Sequence, residues 1–310
     1  MAEAALPSPL AAAPPPRRHD PAWWCVLIPL GFGVIAAWRL SLPSAPFFDE
    51  VHYVPAAREL LRWAATGEGG WLNPEHPPLG KYLIALGMAL LGDNAVGWRI
   101  MPLLAGMLAL GAGMRTMWHA SGDRFACLAF GLLLASGFPL FVQSRIAMLD
   151  IFMAAFLLVA AWQFAGAIAE PETGRRRLAL TGVMLGLALA AKWNAVPLAV
   201  YALAYAPALW MGTYLRPSLV SEHGFLGAQL EMLRLQSSVI EPHTYMSRWP
   251  LWVTNTRGIW YFYEFADGAQ RGVLLIGNPL TMLAGLPALA WCALAGVVRR
   301  DRARLAVALA

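Results

Sequence analysis

AWWCVLIPLGFGVIAAWRLSL (Ala22–Leu42) runs without a break into PSAPFFDEVHY (Pro43–Tyr53), and the junction decides how the rest of the chain is read. The first stretch is apolar over about 20 residues, the length a helix needs to cross the hydrocarbon of a bilayer. Arg17 and Arg18 precede it and set its start in the cytoplasm. The second stretch carries two adjacent carboxylates, so it belongs in water on the far side. Length, and the lack of a clean small-residue cleavage site, favour a retained helix over a signal peptide. Residues 1–21, rich in Ala and Pro, read as a disordered cytoplasmic tail.

Composition agrees. The 310 residues are 59% hydrophobic and 13% charged, against about 25% charged in soluble domains. So little charge cannot coat a globular surface, and lipid is the solvent that fits. Fourteen Trp and eight Tyr suit the aromatic belts at membrane interfaces. The net charge of +5 comes from short Arg runs between apolar segments. That is the pattern of cytoplasmic loops, and it argues against nucleic acid as a partner. Cys25, Cys127 and Cys292 lie far apart inside apolar segments with no CxxC spacing, and read as packing residues without a disulfide or metal framework.

Further along, residues 43–93 form a large first extracytoplasmic loop. Within it, Lys81–Leu91 is apolar for only about 11 residues, too short to span, and reads as an interfacial helix. Spans are expected at Ala95–Trp118, Phe125–Val142 and Ile146–Ile168, with Glu170–Arg177 as a cytoplasmic loop. Leu178–Ala191 is short for a span and Lys192-Trp193-Asn194 interrupts it before Ala195–Tyr214. A single net crossing over 178–214 places every Arg cluster inside and residues 215–271 outside, before a final span at Val273–Val298. The aromatic block His243–Glu264 in that later loop suits an interfacial belt. No internal repeat supports an inverted-repeat transporter. The expected fold class is therefore all-α, a polytopic membrane bundle whose first outer loop carries short interfacial helices.

Ionisable residues in or beside membrane helices are costly and point to function. Here they are Asp49, Glu50, His76, Lys81, Arg99, Arg145, Asp150, Lys192 and the His243 block, and this topology gathers them at one face. A carboxylate partly desolvated at an interface has a raised pKa and can act as a general base, which suits Asp49, with Glu50 orienting an acceptor beside it. In HPPLGK (His76–Lys81) two prolines fix a turn that presents His76 and Lys81 as a phosphate seat. Arg99 near the outer end of its span suits a lipid phosphate or a headgroup anchor. Arg145 and Asp150 either pair with each other or wall a polar cavity.

Taken together, FFDEVHY (47–53), HPPLGK (76–81), GWRIMPLLAG (97–106), SRIAMLD (144–150), AKWNAVPL (191–198), HTYMSRWPLW (243–252), WYFYE (260–264) and GNP (277–279) resemble, in order, the protein O-mannosyltransferases, membrane enzymes of the GT-C class. The resemblance implies an inverting, metal-independent transfer of mannose, with no cofactor, from polyprenyl- or dolichyl-phosphate mannose to Ser or Thr of translocated proteins. It matches Asp49 to the catalytic acidic residue and Glu50 to its acceptor-contacting neighbour. It places Arg99, His76 and Lys81 on the donor side, and His243, Tyr245 and Trp249 around the site; from their position Arg145 is read with the donor side, and Asp150 and Lys192 as the site wall. It also implies a bacterial plasma membrane, or the endoplasmic reticulum of a eukaryote, with the translocon or a homologous subunit as a further partner. Relative to the family, the chain has fewer helices after GNP, one fewer near 193–221 and no MIR-like β domain, so a shortened member is expected. Two other readings stay open: an aminoarabinose-transferase-like enzyme that moves another lipid-phosphate-linked sugar to a lipid or glycan, and a non-catalytic homologue.

Overall fold

The computed structural model describes residues 19–70, 72–192, 230, 234, 251 and 255–298. Among them the order is α1 (Trp24–Ala37), α2 (Glu50–Thr66), α3 (Leu79–Leu91), α4 (Ala95–Ser121), α5 (Arg124–Ala135), α6 (Phe138–Gln143), α7 (Asp150–Ala169), α8 (Gly174–Ala191), strands β1 (Ile259–Ala266) and β2 (Ala269–Leu275), and α9 (Pro279–Val298).

Helix α4 is the axis of the bundle. The Asn94 side chain caps it, accepting from Val96 N at 3.0 Å and Gly97 N at 3.2 Å, and Gly122 in the left-handed region ends it. Its buried face is built from small residues, among them Ala105, Gly106, Ala109, Ala112 and Gly113, which let neighbouring backbones come close. Helices α1, α3, α5 and α7 pack on it, and α8 packs on α7. The outward faces are apolar too: Val34, Ile35, Leu104, Phe125, Trp291 and Val298 are exposed. Helices Ala95–Ser121, Asp150–Ala169 and Thr281–Val298 are long and apolar enough to cross a membrane.

The first outer loop carries the short helices expected of it, α2 and the 13-residue α3. Several boundaries differ from the sequence reading. The first helix covers only Trp24–Ala37, 14 residues, short of the span expected over Ala22–Leu42, and the span expected from Ile146 begins at Asp150. Phe125–Val142 is not one span, because Pro139 cannot donate to the ladder and its ring meets the carbonyl four residues back, so the chain breaks at Ser136-Gly137 into α5 and α6. The Arg175–Arg177 run sits in the first turn of α8 rather than in a loop. The chain before GNP is a β-hairpin, not the start of the last span. Strands β1 and β2 are antiparallel, with Ala266 opposite Ala269 across Asp267-Gly268. Both turn residues have positive φ, 49° and 74°, the two-residue turn that Asp-Gly favours. This hairpin is the one sheet among the described residues. Helix α8 does end at Lys192 as expected, and the number of crossings over 193–214 falls outside the described residues.

The close approach of α3 to α4 depends on Gly97, where a Cβ would lie 2.0 Å from the Gly92 carbonyl oxygen. Gly97→Ala is expected to cost about 1–3 kcal/mol through overpacking against backbone. Gly31→Ala, with nothing within 4 Å, should leave the melting temperature in detergent unchanged or slightly raised. Equal melting of the two variants would contradict this packing.

Candidate active site

Glu50 and Arg99 are both 0% exposed. Glu50 Oε1 accepts from Arg99 Nε at 2.8 Å and Ala147 N at 2.9 Å, and Oε2 accepts from Arg99 Nη2 at 2.8 Å and Phe47 N at 3.3 Å. Arg99 Nη1 donates to the carbonyls of Leu40 (3.0 Å) and Pro43 (2.8 Å), and its guanidinium lies 5.1 Å from the Phe47 ring centroid. Sequence reasoning placed Glu50 on the acceptor and Arg99 on the donor phosphate. In the fold they satisfy each other and the first-loop backbone, because at 49 residues' separation the bundle brings them together inside the protein.

Asp49 is placed differently. It is the residue before α2, yet its side chain makes no capping bond. Its Oδ2 accepts from Tyr53 Oη, one turn along, at 3.4 Å. The carboxyl is half-buried, and burial raises its pKa above the ordinary value; Asp150 adds to this, while Lys192, His52 and the Tyr53 hydroxyl oppose it. Lys192 at the end of α8 donates to Asp150 Oδ1 at the start of α7 at 2.7 Å. Each charge suits the helix terminus it occupies. Asp150 therefore pairs with Lys192, not with Arg145.

The HPPLGK turn sits against this group. Lys81 is buried and donates to the carbonyls of Asn73 and, at 3.0 Å, His76. Burial pushes its pKa down to about 7. Lys81 thus staples the turn from inside. The His76 ring lies edge-on to Tyr53, with centroids 5.9 Å apart. Burial, with Lys192 and Lys81 nearby, holds His76 down to about 4. At neutral pH it is an uncharged hydrogen-bonding group rather than the cation of a phosphate seat.

Arg145 turns away from Asp49. It donates to Ala36 O, to Trp38 O at 2.7 Å and to Arg39 O at 3.3 Å at the end of α1, and stacks over Phe141. There it lines a cavity of about 860 Å³ whose other walls include Val34, Trp38, Phe47, Arg271 and Leu274. His243, Tyr245 and Trp249 lie outside the described residues.

Three residues at the site were not singled out from sequence. Tyr53 had a signal, the four-residue helical spacing from Asp49. Gln143 is a lone amide at the end of an apolar helix, and its Nε2 donates to Tyr261 Oη at 2.8 Å. Tyr261, on β1, stacks on Phe48 with centroids 3.9 Å apart and planes 9° apart. Phe48 has φ 51°, a conformation costing an L-residue about 1–2 kcal/mol, and the stack holds it there.

Spanning-length helices, apolar outer faces and a carboxylate-centred polar cluster beside the first loop define an integral membrane protein with its site at one end of the bundle. Residues 75–240 match the dolichyl-phosphate-mannose-protein mannosyltransferase family, and residues 221–307 match the C-terminal four TMM region of protein-O-mannosyltransferase. The chain belongs to that family. A polyprenol-phosphate-mannose–protein mannosyltransferase of Corynebacterium glutamicum is 35% identical over 60% of this chain and 42% of its own length. One from Mycolicibacterium smegmatis is 26% identical over 83% of this chain and 68% of its own. An undecaprenyl phosphate-alpha-4-amino-4-deoxy-L-arabinose arabinosyl transferase of Pseudomonas aeruginosa is 31% identical over 53% of this chain and 30% of its own. The crystal structure of ArnT from Cupriavidus metallidurans bound to undecaprenyl phosphate is 20% identical with TM-score 0.47, covering 70% of this chain and 41% of that one. The chain thus spans less than half the length of the Corynebacterium relative.

Removing one partner of a buried ion pair strands the other charge, at about 3–5 kcal/mol. Arg99→Met and Glu50→Leu are each expected to lower the yield and melting temperature of folded protein in detergent by that measure. A variant that melts like the parent would show that the pair does not hold the loop.

Proposed function

We propose that the chain transfers mannose, with inversion, from a polyprenyl- or dolichyl-phosphate mannose donor to Ser or Thr hydroxyls of proteins on the extracytoplasmic side of its membrane. Family membership supports the substrate classes. The observation that carries the mechanism is Asp49: a half-buried carboxylate, unspent on helix capping, with its pKa raised by burial.

In this reading the acceptor hydroxyl oxygen forms a bond to the sugar's anomeric carbon as the bond from that carbon to the phosphate oxygen breaks. The hydroxyl proton passes to Asp49, and the bonding electrons leave with the polyprenyl monophosphate. Such a step needs a base in hydrogen-bond reach of the acceptor and fixed positive charge near the leaving oxygen. Lys192, close enough to Asp49 and His76 to influence both, supplies the charge, and neutral His76 supplies a hydrogen bond. The cavity between α1 and β2, with exposed apolar side chains of α1 at its mouth, offers room for the first isoprene units. A second reading, transfer of another polyprenyl-phosphate-linked sugar to a lipid, is favoured by the Pseudomonas relative.

The test is transfer by the purified chain in nanodiscs, with polyprenyl-phosphate mannose and a Ser/Thr peptide in one arm, and an aminoarabinosyl donor and lipid A in the other. Asp49→Asn is expected to lower mannose transfer by about 10²–10⁴-fold, the usual worth of a general base. Full activity in this variant rejects the assignment.

The pH profile has a defined sign. Asp49 serves as base only when ionised, so activity is lost as pH falls through its raised pKa. The acid limb of kcat/KM should therefore lie above the ordinary carboxylate range. Tyr53→Phe removes a hydrogen bond that favours the ionised form, and the limb should move to higher pH. A limb that stays fixed in Tyr53→Phe would place the titration on another group.

A further inference from the structure

Three buried polar atoms around Asp49 have no partner among the described residues: Gln143 Oε1 at the end of α6, Asp150 Oδ2 at the start of α7, and His76 Nδ1 in the turn before α3. A buried polar atom left unpaired costs about 1–3 kcal/mol, so a set from three separate elements near one carboxylate has hydrogen-bonding capacity that hydroxyl groups would satisfy. Each atom has a neighbour that fixes its side chain. Asp150 is held through Oδ1 by Lys192, Gln143 through Nε2 by Tyr261, and His76 by the Tyr53 ring.

Tyr261 is the member the hairpin adds. It is 8% exposed. Its hydroxyl accepts from Gln143, leaving its own proton to be donated. Burial first, and then Asp150 and Asp49, oppose its ionisation, so it stays a phenol and a donor. Its ring is clamped flat on Phe48, the residue before Asp49, and the hairpin is pinned again where Asp267 accepts from Ser44 N and Ser44 Oγ. Tyr261 cannot drift without breaking its stack on Phe48, nor Gln143 without breaking its bond to Tyr261.

Resting on the mannosyl-transfer reading, we propose that the Gln143–Tyr261 pair reads one hydroxyl of the donor sugar, with Tyr261 Oη donating to it and Gln143 Oε1 accepting from it. The pair thereby determines donor specificity. A reciprocal donor and acceptor, both fixed, bind a hydroxyl and reject its absence, because the loss leaves two buried groups unpaired. Asp150 Oδ2 and His76 Nδ1 remain for neighbouring hydroxyls.

The experiment compares kcat/KM for polyprenyl-phosphate mannose and its 2-, 3-, 4- and 6-deoxy analogues in the full chain, in Tyr261→Phe and in Gln143→Leu. Tyr261→Phe keeps the Phe48 stack, and equal melting temperatures establish that the fold is intact. The parent should lose about 100-fold on the one deoxy donor whose hydroxyl is read, two hydrogen bonds' worth. Both variants should lose about tenfold on the mannosyl donor, mainly in KM, and lose only about tenfold more on that deoxy donor, because each keeps one of the two bonds. If the parent transfers mannose but both variants match it on every donor, or lose the same factor on all of them, the inference fails alone. If the parent transfers no mannose in any arm, the functional reading fails and takes the inference with it.

Discussion

Arg99 reaching Glu50 inside the bundle is the contact on which the site depends. Taking two charges out of water costs several kcal/mol per ion, and attraction alone rarely repays it. Here the rest is met by a shell of hydrogen bonds. Glu50 also accepts from Phe47 N and Ala147 N, and Arg99 also donates to Leu40 and Pro43. Those partners belong to the chain after α1, the first loop and the turn before α7. One ion pair thus ties three irregular segments to α4. Irregular backbone beside hydrocarbon is tolerable only when its polar groups are satisfied within the protein. The pair meets that condition, and in doing so fixes where Asp49 and Asp150 stand.

Two adjacent carboxylates then acquire different tasks from one step of helix geometry. Successive residues are turned by about 100° around a helix axis. With Glu50 directed into the core, Asp49 is directed towards Tyr53, Lys192 and the opening. The cations divide in the same way. Arg99, Lys81 and Arg145 donate to loop, turn and helix-end carbonyls, groups whose partial negative charge needs a donor there. They build the walls. Lys192 is the cation that acts directly on Asp49 and His76.

The membrane class, the short helices of the first loop and the Asp49-Glu50 pair as a polar break after the first apolar stretch were all readable from composition and position, since each follows from local apolarity or its interruption. Pairing was not. Arg145 and Asp150 are five apart in sequence, but Ile146–Leu149 is a buried turn that sends them to different neighbours, α1 and Lys192. The roles of Asp49 and Glu50 are indistinguishable in a string where both share the same flanks. The hairpin carried a readable sign, Asp-Gly between two β-prone runs, but IWYFYE also satisfies the pattern of an interfacial belt. Only docking against Phe47 and Phe48 decides between them.

That docking links the two ends of the chain. Ser44 and Asp267 are 223 residues apart, and Gln143 and Tyr261 are 118 apart, yet all four meet at the first loop. Asp49 owes its raised pKa first to burial. Phe48 beside it is held in its left-handed turn by the Tyr261 ring. The buried carboxylate and the seat of the hairpin thus lie on adjacent residues of the first loop. Seating requires the aromatic face of β1 to find the first loop, which α4 presents only because Arg99 holds Glu50. The raised pKa of Asp49 is in this way a property of the assembled fold, since burial within it is the first cause.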